Sequence, residues 1–208
     1  MSDVSLVSVT PKAEELIAYC ARVSNPQNQD NPDSERLIKY LITHKHWSPF
    51  EMAHVVMEIN TTRSIAAQIL RHRSFSFQEF SQRYAEVSHS PEIPEFRRQD
   101  TKNRQNSIDD LSADTLNQCE AIAADVIVSS LRAYQKLLEL GVAKECAREL
   151  LPLCTPTRLY MAGSVRSWIH YIDLRTDNGT QLEHKEIALA CKDLLYKALP
   201  SLSKAMWG

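Results

Sequence analysis

Apolar and polar positions along the chain follow two periods. Residues 4–9 (VSLVSV) read as a short strand. In residues 53–60, Val55, Met57 and Ile59 alternate with His54, Glu58 and Asn60, the two-residue period of a half-buried strand. Residues 157–163 are a third candidate strand. The helical period governs most of the rest. Thr10 is placed to cap a helix that has Pro11 at its first position and runs to Arg22, where Ser24-Asn25-Pro26 breaks it. Asp33 caps a second helix with Leu37, Ile38, Leu41 and Ile42 on one face. A third, about 62–72, carries Ile65, Ala66, Ile69 and Leu70, with Gln68 and Arg71 on another face.

The strongest helical pattern lies in 112–140: Ile122, Ala123, Val126, Ile127, Leu131, Tyr134 and Leu138, stopped by Gly141. A short helix at 143–150 puts Glu145 and Arg148 on one face, and Cys146, Ala147 and Leu150 toward the core. Val165, Trp168, Ile169 and Ile172 line another helix whose polar face holds Arg166 and His170. After the Asp177-Asn178-Gly179 turn, Thr180-Gln181-Leu182-Glu183 has the form of a capping box. Residues 88–110 are polar, Pro-containing and aperiodic, which predicts a long surface loop suited to be a lid. No repeat or linker interrupts the chain. The pattern implies an α+β protein: one mainly helical domain, 1–208, with a small and mostly antiparallel sheet.

Composition narrows the function. At 208 residues with 43% hydrophobic content, the chain can bury a real core. A net charge of −2 argues against a general nucleic-acid binder. No stretch approaches the ~20 apolar residues of a membrane span, and the first residues lack signal-peptide character, so the expected location is cytoplasmic. The five cysteines show no CxxC spacing and read as reduced thiols, mostly buried. Only four glycines occur, and they form neither a G-x-G-x-x-G turn nor a phosphate-cradling GxxxxGK[ST] loop. A nucleotide would therefore have to be held by side chains.

Those side chains concentrate in RHRSFSFQEFSQRY, residues 71–84. Arg71, His72, Arg73, Glu79, Ser81 and Arg83 combine planar anion-matching donors with one acid, which points to an anionic ligand bearing a heterocycle. Arg148, Arg166 and Arg175 add guanidinium groups from further along. His72, between two arginines, should resist protonation and serve as a neutral hydrogen-bonding group or a helix-end cap. Ser81 lacks a hydrolase setting and reads as a ligand-binding hydroxyl. Cys154, beside Leu151-Pro152-Leu153, reads as inert. Trp47, Phe75, Phe77 and Phe80 are aromatic neighbours, read as core before ring-stacking platforms. His44, His46 and His54 fit no common zinc spacing, so no metal is expected.

Arg71-His72-Arg73, seven residues, then Ser81 strongly resembles the signature of the flavin-dependent thymidylate synthases. Three further segments stand in register with that family. They are His46-x-Ser48-Pro49-Phe50-Glu51, Lys144-Glu145-Cys146-Ala147-Arg148 with Leu151-Pro152, and Ser164-Val165-Arg166 with His170 and Leu174-Arg175-Thr176. The resemblance covers residues 20–185.

It implies the reductive methylation of dUMP to dTMP, with methylenetetrahydrofolate as carbon donor and reduced FAD as hydride donor, recharged by NADPH. It also implies a homotetramer with shared active sites. By position, Ser48, Arg71, His72, Arg73, Glu79, Ser164, Val165, Arg166 and His170 would contact FAD. Gln68, Ile69, Leu70, Arg71, Glu79, Phe80, Ser81, Gln82, Arg83, Arg148 and Arg175 would line the dUMP site. Arg83 and Arg148 would take the phosphate. Arg175 would be the catalytic group, bonding the uracil edge and favouring its ionised N3 form without a covalent enzyme nucleophile. His46 would sit by the flavin. Ser164 and His170 replace the Asn of many relatives, and Gln82 the Gly of some. Two other readings stand beside this one: a flavoprotein oxidoreductase on the same scaffold, and a nucleic-acid-binding module using Arg71, Arg73, Arg97, Arg98 and Arg104.

Overall fold

A computed structural model describes residues 3–87 and 90–208. Four strands form one sheet: β1 (Asp3–Val9), β2 (His54–Thr62), β3 (Ser76–Glu79) and β6 (Pro156–Ser164), in the order β1-β2-β6-β3. Every pairing is antiparallel, with Met57 opposite Met161 at the centre. The alternation read from β2 holds: Val55, Met57 and Ile59 are fully buried. On β6, Leu159 and Met161 face the same core. Helices α1 (Ala13–Ala21), α2 (Ser34–Thr43), α6 (Val165–Arg175), α7 (Leu182–Ala198) and α8 (Pro200–Trp207) supply the other half of that core through Ile17, Ile38, Trp168, Ile172, Cys191 and Leu202.

Two expected helix starts differ. Thr10 does not cap α1, because its hydroxyl is already engaged at the sheet edge. It accepts from the His54 N–H at 2.9 Å and donates to the His54 carbonyl at 3.3 Å. The helix begins instead after Lys12, which is left-handed at φ 50°. The Thr180–Glu183 capping box also fails to close. Thr180 turns its hydroxyl to the Leu174 carbonyl, and Gln181 takes the N-cap position of α7 with its side chain directed elsewhere. Asp33 does cap α2, accepting from the Arg36 N–H at 3.2 Å.

Helix α3 (Arg63–Ile69) ends before the RHR triplet, so Arg71, His72 and Arg73 occupy a turn and not a helix end. Phe75 is the cause. It must drop into the core against Trp168, at 5.0 Å between ring centroids, and β3 starts at Ser76. The turn lies so close to β6 that a Cβ added at Gly163 would sit 2.5 Å from Phe75 Cδ1.

Within the expected loop, Ser88 and His89 lie outside the described residues. The described part carries a short ribbon, β4 (Arg98–Gln99) against β5 (Ser107–Ile108). Helix α4 (Ala113–Glu139) ends at Gly141, whose φ of +80° suits glycine. Its apolar pattern is only partly used. Ile127 and Tyr134 are buried, while Ile122 and Val126 are 66% and 57% exposed. The following α5 (Lys144–Ala147) buries Ala147, but Cys146 and Leu150 are exposed, contrary to the sequence reading. The one-turn helix is too short to aim all three inward.

Candidate functional site

The sheet and its flanking turns gather the arginines into groups. At the first, β3 ends in Glu79 and the chain turns through Ser81–Ala85, held by the Tyr84 N–H to the Ser81 carbonyl. This turn meets α5. Arg83 Nε donates to Glu145 Oε2 at 2.9 Å, and Arg148 Nε donates to the Glu145 backbone carbonyl at 3.2 Å. Arg83 and Arg148, separated by all of α4 in sequence, thus share one residue. The Arg83–Glu145 pair is about half exposed, so its net strength is small and a phosphate can replace the carboxylate. Arg148 also lies 3.5 Å from the exposed carboxylate of its neighbour Glu149.

The second group surrounds the RHR turn. His72 Nε2 accepts from Arg175 Nε at 2.9 Å, which fixes the imidazole as neutral with its proton on Nδ1. Burial first, then the charges of Arg175 and His170, push the His72 pKa down to about 4. Neutrality was expected from Arg71 and Arg73, yet burial and Arg175 produce it. Arg71 and Arg73 are both exposed, and neither side chain enters an ion pair among the described residues. The His72 ring stands edge-on to Tyr171 at 4.9 Å.

Against these lies His184, wholly buried, with its pKa lowered to about 3 by burial and then by Arg175 and His72. His184, Tyr171 and Gln181 were missed by the sequence reading. The one available signal was a histidine at the first position of the stripe His184, Ile187, Ala188, Cys191 and Leu195 on α7.

The third group joins the turn after Trp47 to the start of α6. Arg166 Nη1 donates to Glu51 Oε1 at 2.9 Å. A hydrogen bond from Ser164, together with the Arg166 cation, outweighs burial and holds the Glu51 carboxyl below its usual range. Ser164 is buried and caps α6 by accepting from the Ser167 N–H at 3.3 Å. His170 is exposed one turn further along the same polar face as Arg166. Ser48 opens the short helical turn that ends at Glu51.

Glu79 belongs with none of these alone. It accepts from Arg63 at 2.7 Å and from Thr157 at 2.9 Å. Ile69 and Val165 are fully buried, so they can offer a ligand only backbone; Leu70 and Phe80 are exposed. Gln82 is buried with its Nε2 unpartnered. Trp47, Phe75 and Phe77 belong to the core or its margin, as read. His44 stacks on Tyr40 at 4.0 Å, and His46 is edge-on to the same ring. Among the described residues no group of three His, Cys, Asp or Glu side chains is arranged for a metal ion, and no helix is long and apolar enough to cross a membrane.

A cleft of about 930 Å3 opens over Asn60 and Arg158 and reaches Phe80, Thr157, Gln181 and Glu183. Its lining is mixed: neutral hydroxyls and amides such as Thr61, Ser64 and Gln181 stand beside Glu92, Glu95, Glu183 and Glu186, with Arg158 as its one cation among the described residues.

Residues 5–201 match the family model described as thymidylate synthase complementing protein, Thy1. The chain belongs to that family. It is 55% identical over 195 residues to the probable flavin-dependent thymidylate synthase of Paramecium bursaria Chlorella virus 1, covering 93% of this chain and 90% of the relative. It is 54% identical over 193 residues to the flavin-dependent thymidylate synthase of Synechocystis sp. (strain ATCC 27184 / PCC 6803 / Kazusa), covering 93% and 89%. Its fold is similar to the crystal structure of a UMP/dUMP methylase, PolB from Streptomyces cacaoi, bound with 5-Br UMP. The TM-score there is 0.88 at 27% identity, covering 99% of this chain and 93% of the other. The family membership read from the RHR turn and its three companion segments is thereby shown. So is the mixed architecture of helices on a small antiparallel sheet.

Proposed function

We propose that this protein makes dTMP from dUMP by reductive methylation, taking its carbon from methylenetetrahydrofolate and holding FAD, which NADPH recharges. The observation that carries the reading is the convergence of Arg83 and Arg148 on Glu145. The chain builds there a two-guanidinium site whose carboxylates, Glu145 and Glu149, are exposed and displaceable. It suits a nucleotide monophosphate.

Arg175 has the right form for the pyrimidine. Its Nε is occupied by His72, so its four terminal N–H donors are left to face a ligand. A guanidinium fixed against the uracil edge stabilises the ionised N3 form and makes the ring a better carbon nucleophile. His72, held neutral, orients that guanidinium without competing for the anion. Cys154 is kept as a thiol by burial, which raises its pKa, and the reaction needs no covalent enzyme nucleophile.

The residues present fit FAD. Arg71 and Arg73 offer exposed cations for a diphosphate, and Ser48, Arg166 and His170 offer donors nearby in the fold, with Glu79, Ser164 and Val165 completing the set. Bound there, reduced FAD would supply the hydride that completes the methyl group.

A homotetramer with shared sites accounts for the partition of these residues into separate groups on one chain. The exposed apolar residues Ile122, Val126 and Val128 on α4 support such an assembly. A flavoprotein that does not methylate would have no use for Gln68, Arg83, Arg148 and Arg175 together.

The test is the visible absorption spectrum of the FAD-loaded protein during titration with dUMP. A saturable shift of the flavin band, followed by dTMP formation that Arg175→Ala abolishes, is the expected result. A band indifferent to dUMP, or near-normal turnover by Arg175→Ala, would sink the assignment.

A further inference from the structure

Gln68 lies at the end of α3, and its side-chain amide is held at both atoms. Its Nε2 donates to Gln181 Oε1 at 2.7 Å, and its Oε1 lies 3.3 Å from His184 Nδ1. Gln181 Nε2 in turn donates to Glu183 Oε2 at 2.9 Å, and Glu183 Oε1 accepts from Arg97 Nη2 at 2.5 Å. Arg97 belongs to the 90–110 segment, where its Nε donates to Ser107 Oγ at 3.0 Å.

The direction of every bond in this chain follows from one charge. Burial opposes ionisation of Glu183, but hydrogen bonds from Arg97, its own backbone N–H and Gln181 outweigh it and hold the carboxyl below its usual range. An ionised carboxylate only accepts. Gln181 must therefore turn its Nε2 toward Glu183 and its Oε1 toward Gln68. Gln68 must then present Nε2 to Gln181 and Oε1 to the imidazole. His184 must carry its proton on Nδ1. Consistently, His184 Nε2 is the ring atom left buried without a partner, as a bare acceptor would be with no donor in reach.

We propose that Glu183, Gln181 and His184 are positioning residues that fix the amide of Gln68 toward the nucleotide, with Arg97 anchoring the series from the 90–110 segment. This rests on the reading of Gln68 as a dUMP contact. The relay leaves Gln68 one Nε2–H and one Oε1 lone pair, in a fixed arrangement, for the ligand. An amide so constrained has no rotamer freedom left to lose on binding, which is preorganisation rather than added contact. It also ties the 90–110 segment to the substrate pocket through side chains alone.

The experiment measures the dUMP dissociation constant of the FAD-loaded protein by calorimetry, for wild type, His184→Leu, His184→Asn and Gln181→Leu. Steady-state KM and kcat accompany it. Leucine at 184 keeps the packing and removes the donor; asparagine restores an N–H at the place of Nδ1. Gln181 is exposed, so its variant folds even if the buried one does not. Both leucine variants should bind dUMP about five- to tenfold more weakly, the loss of one orienting hydrogen bond. KM for dUMP should rise by more than kcat falls, and His184→Asn should return toward wild type. If wild type binds dUMP and both leucine variants match it, the relay is wrong while the proposed reaction stands. If His184→Asn is as weak as His184→Leu, packing and not the donor matters, and the relay again fails. If wild type itself does not bind dUMP, the relay falls together with the reading on which it rests.

Discussion

Lowering the pH from 7 to 5 should cost the wild-type protein about 2 kcal/mol more stability than it costs a His184→Asn variant. His184 is wholly inaccessible, and its pKa falls from 6.5 to about 3 in the fold. The causes are burial first and then the nearby Arg175 and His72, so protonation would put another positive group beside Arg175. The sign follows from the depression. Above pH 6.5 neither state carries the proton and the residue is neutral in the balance. Below it the unfolded chain binds a proton that the native protein refuses, so stability is present above the unfolded pKa and is lost as pH falls toward 3. Each unit of pH below 6.5 removes about 1.4 kcal/mol, and the interval of about 1.5 units down to pH 5 gives the figure above.

His72, with a pKa near 4, loses stability in the same direction. It is present in both proteins and cancels in the comparison. The asparagine variant keeps an N–H facing Gln68 but cannot titrate. Urea unfolding at pH 7, 6 and 5, at one fixed protomer concentration because any assembly contributes by mass action, reads the difference directly. Parallel pH dependences for the two proteins would refute the buried neutral histidine and its energetic consequence.

Gly163→Ala should lower stability by about 1–3 kcal/mol, the usual range for overpacking, because the new methyl would meet the Phe75 ring at 2.5 Å and that ring is fixed edge-on against Trp168. An unchanged urea midpoint would show that the RHR turn gives way freely. Arg148→Ala should weaken dUMP binding by about ten- to 150-fold, the loss of a charge-assisted hydrogen bond, while FAD binding persists. Equal losses of both ligands would move Arg148 away from the phosphate.

Three of the sheet's four strands were legible in the sequence, β2 most clearly because alternate side chains meet the core and Val55, Met57 and Ile59 had no other use; the four-residue β3 (Ser76–Glu79) was not read. The helix starts were less legible. A capping residue competes for its hydroxyl with any backbone group nearby, and at Thr10 the partner was His54, 44 positions away. Local sequence cannot rank such a rival. The same limit hid the second half of the site. Arg71, His72 and Arg73 announce themselves as a cluster, but what tunes His72 comes from Arg175 and from burial. Gln181 looked like the second residue of a capping box. In the fold its side chain bonds Gln68 and Glu183, while Thr180 turns to the Leu174 carbonyl.

The long helix α4 was legible in its extent but not in what covers it. Its apolar residues recur with the right period, yet a period reports only that a face is destined for burial, not by what. On one chain Ile127 and Tyr134 meet their own fold, while Ile122 and Val126 stay open to solvent. The arginine groups divide in the same way. Arg83 and Arg148 converge on Glu145, Arg166 is bound to Glu51, and Arg175 rests through its Nε on His72 with its terminal donors open among the described residues. A protein that left both this apolar face and the Arg175 guanidinium unmatched would be exposing apolar surface and holding a cation whose partner, His72, is neutral. The proposed tetramer would answer both: copies of the chain meeting along α4 would cover Ile122 and Val126, and the open donors of Arg175 would be left to an anionic ligand.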